Sequence, residues 1–148
     1  MVGYTLAAVG VLAAIVQGGL IKKIVGALGE RRALLLGLGC GTLGFMLYGL
    51  APSGPWFWAA MPIAALWGIA QPAAQAIMTR QVAPTEQGRL QGAVASLSGM
   101  AGIIAPSLFN NVFSLVIGRW QGLVLPGAPW FIAAGLLVGA MVVVGRKA

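Results

Sequence analysis

The chain has 148 residues; 59% are hydrophobic before its 23 glycines are counted, and only 7% are charged. A soluble domain carries about 25% charged residues, and nine cations with two carboxylates cannot cover a water-facing surface. Without histidine, and with two carboxylates and one cysteine, the chain cannot build a histidine-based triad, a histidine metal site or an internal disulfide, and its two acids both lie among basic residues outside the apolar runs. These constraints predict an all-α membrane protein that is not an enzyme, with neither metal nor cofactor.

Five apolar runs follow in chain order, at 2–21, 33–51, 56–79, 93–117 and 129–145. Each lacks Asp, Glu, Lys and Arg and has the length of a membrane-spanning helix, ~17–25 residues. None shows the ~10-residue alternation of a barrel strand. The runs predict a single transmembrane domain of five helices over residues 1–148. The first run is not a signal peptide, because its lysines follow the apolar stretch instead of preceding it.

The connection at 22–32 carries Lys22, Lys23, Arg31 and Arg32, that at 80–92 carries Arg80 and Arg89, and the tail carries Arg146 and Lys147. The alternate connections hold no cation at 52–55 and only Arg119 at 118–128. Eight cations on one side against one on the other place the N-terminus outside and the C-terminus in the cytoplasm. The charge of +7 is thereby accounted for by topology, and no aromatic-interleaved basic patch suggests a nucleic-acid partner. An outside start and an odd span count predict further spans before residue 1. The alternative is a complete five-span scaffold or membrane-assembly partner without transport.

The second run contains Gly39-Cys40-Gly41-Thr42-Leu43-Gly44, a G-x-G-x-x-G match that means nucleotide binding only between a strand and a helix. Inside a span it reads as packing. Gly37 with Gly41, and Gly135 with Gly139, have the spacing that lets helices approach closely in lipid.

In the third run Trp67, Gln71 and Gln75 recur every four residues and share a helical face. Pro72 frees a carbonyl near Gly68 and predicts a local irregularity. Amides in hydrocarbon are costly unless they pair or face a wet cavity. Trp67, Gln71 and Gln75 are therefore candidate substrate-binding residues. Aromatic rings next to amides suit a flat amphipathic ligand.

Several motifs stand in a telling order. Gly18-Gly19-Leu20-Ile21-Lys22-Lys23 leads to Gly29-Glu30-Arg31-Arg32. Gln71-Pro72-Ala73-Ala74-Gln75-Ala76 is followed by Gln87-Gly88-Arg89-Leu90-Gln91-Gly92, then by Ser96-Leu97-Ser98 and Ile104-Ala105-Pro106. Over essentially the whole chain this resembles the carboxyl half, spans eight to twelve, of tetracycline-resistance-type drug:proton antiporters of the major facilitator superfamily. Exporters of that group carry a histidine in the eighth span and an acid in the ninth, where this sequence has Ala13 and Gly41; Ala105 replaces the glycine of their G-P pair. The resemblance implies export of small amphipathic molecules across the inner membrane by proton antiport with alternating access. It implies that the third run lines the central cavity with the fourth beside it, which adds Phe109, Asn110 and Asn111 as candidate substrate-binding residues. It implies a gating role at the cytoplasmic ends for Gly29, Glu30, Arg31, Arg32, Gln87, Gly88 and Arg89. With no acid or histidine inside the five runs, the proton-coupling group is expected in the amino-terminal half.

Overall fold

The computed structural model describes residues 2–119 and 127–146, with side chains over 3–114 and 127–146. The charges expected at Arg119 and Lys147 fall on side chains outside that set. Among the described residues the fold is all helix, without strands.

The first rod runs through α1 (Val2–Ile15), a π-helical segment (Val16–Leu20) and α2 (Ile21–Leu28). Gly29 alone separates it from the second rod, α3 (Glu30–Leu50). Its φ of +79° is open to glycine at little cost and strained for other residues. The third rod is α4 (Gly54–Ala65), a 3₁₀ turn (Leu66–Ile69) and α5 (Ala70–Arg80). It starts at Ser53 in extended conformation, with Pro55 in its first turn, where a missing N–H costs nothing. A short 3₁₀ turn (Pro84–Glu86) leads into α6 (Gln87–Arg119), and α7 (Ala128–Arg146) completes the described chain. Four of these helices, Gly3–Leu28, Glu30–Leu50, Pro84–Ser114 and Ala128–Arg146, are long and apolar enough to cross a membrane.

The helices overrun the apolar runs. Residues 22–32, expected as a loop, are helical except at Gly29, and the Gln87-to-Gly92 motif forms the opening turns of α6. Lysine, arginine and glutamine are good helix formers, so a helix continues past the hydrocarbon into the headgroup region, whereas hydropathy registers only its apolar middle.

The second rod, α3, is the spine of the bundle and packs against α2, the whole third rod and α7. Its face toward the third rod is a glycine seam. A Cβ on Gly37 would lie 2.8 Å from the Ala70 nitrogen, one on Gly41 2.8 Å from Trp67 Cδ1, and one on Gly44 2.7 Å from Ala64 Cα. The partners Ala64, Trp67 and Ala70 are spaced by three, and the 3₁₀ turn between them holds such residues in line. In lipid there is no hydrophobic gain from joining two apolar helices, so this close van der Waals contact is what holds them. Around the seam, Val16, Ala33, Leu34, Leu38, Ile69, Ala70 and Ala73 form the buried core. Gly135 and Gly139 behave differently: among the described residues nothing lies within 4 Å of a Cβ on either, so no described neighbour packs closely against that pair.

Polar side chains within the helices satisfy themselves on the preceding turn. Thr42 Oγ1 donates to Leu38 O at 2.9 Å, Thr79 Oγ1 to Gln75 O at 2.8 Å and Ser96 Oγ to Gly92 O at 2.9 Å. This is the local answer to a medium that offers no water.

Candidate functional site

Three of the rods meet in an aromatic cluster built from Phe45 and Tyr48 on α3, Phe57 on α4, Trp67 in the 3₁₀ turn and Trp130 on α7. The Tyr48 and Phe57 rings stack at 4.2 Å between centroids. Phe45 meets Trp67 edge-on at 5.2 Å and lies 5.5 Å from Trp130, which in turn meets Tyr48 at 5.0 Å. Such pairs contribute about 0.5–1.5 kcal/mol each beyond area burial, enough to fix ring orientations within a loosely held bundle.

Two open cavities flank this cluster and share Phe45, Trp67 and Trp130 as walls. One, of about 480 Å³, is completed by Phe109 of α6 and by Pro129, Ala133, Leu136 and Leu137 of α7. The other, of about 470 Å³, lies toward the first rod and is completed by Val9, Leu12 and Ala13 of α1 together with Tyr48, Phe57 and Gly68. Trp67 stands between them with 43% of its surface exposed. Each volume falls in the range of drug-sized pockets, and neither lining carries a lysine, arginine or carboxylate.

The six candidate substrate residues are thus divided. Trp67 and Phe109, 42 positions apart in sequence, face one cavity. Gln71 is exposed and Gln75 half-buried on α5, and neither lines either cavity. Asn110 and Asn111 are exposed on α6, and Asn111 Nδ2 donates to Ser107 O at 2.8 Å. Pro72 is accompanied by the 3₁₀ turn just before it, where the Ala70 N–H bonds to Trp67 O. A 3₁₀ turn advances more degrees per residue than an α-helix, so Gln71 is carried roughly 40–60° beyond the α-helical direction it would share with Trp67.

The candidate gating residues lie at the opposite end from the Ser53 turn. Glu30, in the first turn of α3, pairs with Arg80 in the last turn of α5 at 2.7 Å. Arg31 Nη2 donates to the final carbonyls of α7, Val144 O at 2.9 Å and Gly145 O at 3.2 Å. Arg32 is exposed beside them. Gln87, Gly88 and Arg89 are exposed on the first turn of α6, where Arg89 lines a small hollow with Glu86, Val82, Leu90 and Ala93. The structure thus joins Glu30 and Arg31 to other helices but does not bring Arg89 to them. Among the described residues, no group of three or more His, Cys, Asp or Glu comes together to hold a metal.

A family model for the Major Facilitator Superfamily matches residues 1–106. The chain belongs to the major facilitator superfamily. This is a family of multi-pass helical membrane transporters and not of enzymes. The tetracycline resistance protein of class C from Escherichia coli is 32% identical over 100% of this chain, covering 36% of its own length. The class G protein from Vibrio anguillarum is 34% identical over 98% of this chain, again covering 36% of its own length. Human hippocampus abundant transcript-like protein 1 is 28% identical over 93% of the chain and 30% of its own length. The chain therefore spans about a third of the curated relatives it matches. No solved structure matches it.

Within this major facilitator segment, nothing in the sequence singles out Phe45, Tyr48, Phe57 and Trp130. Each is an ordinary aromatic in an apolar run, and only tertiary packing makes them one wall. The i, i+3 spacing of Phe45 and Tyr48 was the one available signal.

Proposed function

We propose that this chain is the carboxyl-terminal part, five spans equivalent to the eighth to twelfth, of a secondary carrier that exports small amphipathic molecules by proton antiport and alternating access. The reading places the carrier in the inner membrane, with residue 1 outside and residue 148 in the cytoplasm. The observation that carries it is the pair of aromatic-walled cavities around Trp67 in a chain whose relatives include proteins named for tetracycline resistance. Rings on the walls offer stacking surface, and Gln71, Gln75, Asn110 and Asn111, which line neither cavity, are further candidates for hydrogen bonding to a ligand.

Glu30 and Glu86, the sole carboxylates, both sit at the helix ends away from the cavities. A proton-carrying side chain is therefore supplied by other parts of the carrier. The test is transport by the carrier that contains this chain. Trp67→Ala and Phe109→Ala should raise the half-saturating concentration of an exported amphipathic drug at unchanged membrane abundance, and Gln71→Ala with Gln75→Ala should alter the substrate profile. Transport indistinguishable from the parent in all three variants would remove this site from the carrier's pathway.

A further inference from the structure

The three glycines of the α3 seam meet different kinds of atom. A Cβ on Gly37 or Gly44 would press on the backbone of Ala70 or Ala64, which only a shift of the third rod relieves. One on Gly41 would press on side chains from two helices: Trp67 Cδ1 at 2.8 Å and Cγ at 2.9 Å, and Leu137 Cδ1 of α7 at 3.0 Å. Buried Gly41 is thus the floor on which the third rod and α7 each rest a side chain.

Those two side chains are also cavity walls. Trp67 and Leu137 both line the 480 Å³ cavity, whereas Gly41 lines neither cavity. Trp67 meets Phe45, one turn along α3 from Gly41, edge-on at 5.2 Å. A side chain at position 41 would therefore be accommodated by moving one wall or both, and Leu137 moves more easily, because the atom in contact is the free end of a flexible chain. These contacts lie within three packed helices and stand whatever borders the open side of the cavity.

We infer that Gly41 is a positioning residue that sets the width of this cavity: its missing side chain lets Trp67 and Leu137 lie back against α3, leaving room for a planar, uncharged ligand of several fused rings. The ligand class rests on the carrier reading above, whereas the placement of the two walls rests on the contacts alone. A lining without lysine, arginine or carboxylate cannot compensate the lost hydration of a charged ligand, while Phe45, Trp67, Phe109 and Trp130 offer rings to stack on. One methylene in an apolar pocket changes discrimination roughly 10–200-fold. A single Cβ behind the wall is a change of that size.

The test uses the full-length carrier that contains this chain, in phospholipid nanodiscs, with two neutral planar dyes, N-phenyl-1-naphthylamine and the larger Nile red. Binding is read as the excess over empty nanodiscs. Gly41→Ala should weaken Nile red by about tenfold or more and leave N-phenyl-1-naphthylamine within about twofold. Adding Leu137→Ala should restore Nile red. Should Gly41→Ala fold poorly, Leu137→Ala alone carries the same test, with Nile red gaining over the smaller dye. Gly37→Ala, on the same seam but lining neither cavity, should lower thermal stability without changing the ratio between the dyes. With 5-fluorotryptophan at position 67, Gly41→Ala should also move the fluorine resonance. An unmoved resonance overturns the contact with Trp67. Equal loss of both dyes, or the same change of ratio in Gly37→Ala, overturns the control of width. A parent that binds neither dye overturns the ligand class, and transport by Trp67→Ala and Phe109→Ala then decides separately whether the carrier reading survives.

Discussion

Arg80 Nη2 lies 2.7 Å from Glu30 Oε1, tying the last turn of α5 to the first turn of α3. Both charges are placed favourably for the helix dipoles, the acid at an N-terminus and the base at a C-terminus. The Glu30 side chain is 17% exposed and the Arg80 side chain 76%, so water screens much of the attraction. A double-mutant cycle with Glu30→Gln and Arg80→Gln should give a coupling of about 0.2–1 kcal/mol in detergent unfolding. A coupling above that range would mean the pair is better shielded than its exposure indicates.

The neighbouring residue does a different job. Arg31 donates to Val144 O and Gly145 O, carbonyls that the end of α7 leaves without helical partners. Arg31→Ala should destabilise the fold by about 0.5–1.5 kcal/mol, and Arg32→Ala, which lies exposed alongside, by under about 0.5 kcal/mol. Thermal unfolding midpoints of the two variants, compared with each other, check the ranking.

The glycine seam makes a sharper distinction. A side chain at Gly44 must displace the Ala64 backbone, since even its Cβ would stand 2.7 Å from Ala64 Cα. Gly44→Val should cost about 1–3 kcal/mol through overpacking. Gly139→Val, into open space, should leave the unfolding midpoint near that of the parent. Equal losses would mean that glycine is needed at Gly44 for something other than close approach.

How far the fold could be read in advance follows from this contrast. Apolar runs without charge marked helices because a spanning segment must be apolar along its length, so the all-α class and the rods at 2–28, 30–50, 87–119 and 128–146 were visible in outline. Their ends were not, because Lys22, Lys23 and Arg89 sit on helices that outrun the hydrocarbon. Trp67 follows as a candidate from its four-residue spacing with Gln71 and Gln75, and Phe109 from the family resemblance; one cavity is lined by both. An ideal helix puts Gln71 on one face with Trp67, and the 3₁₀ turn over Leu66–Ile69 rotates the two apart. Gly37-Gly41 and Gly135-Gly139 have the same spacing, yet among the described residues the first pair meets another helix closely and the second does not. Spacing states what a helix can accept, and the neighbours decide whether anything arrives.

The final prediction concerns orientation. Arg31 reaches the end of α7 and Glu30 reaches the end of α5, so the Gly29 turn, the α5 terminus and the α7 terminus gather at one end of the bundle. Tyr4 and Thr5 share a hollow with Gly54, Pro55 and Trp58, which gathers the start of α1 and the Ser53 turn at the other. The first end carries Lys22, Lys23, Arg31, Arg32, Arg80 and Arg146, and the second carries exposed Tyr4, Trp56 and Trp58. Basic residues favour the cytoplasmic face, and tyrosine and tryptophan favour either interface. Single cysteines at Ser53 and Thr85, both exposed and placed in a Cys40→Ser background, should therefore respond oppositely to a membrane-impermeant thiol reagent added to intact cells. Ser53→Cys should label and Thr85→Cys should label only after the membrane is opened. The reverse pattern would invert the topology and, with it, the assignment of these helices to the eighth to twelfth spans of a carrier.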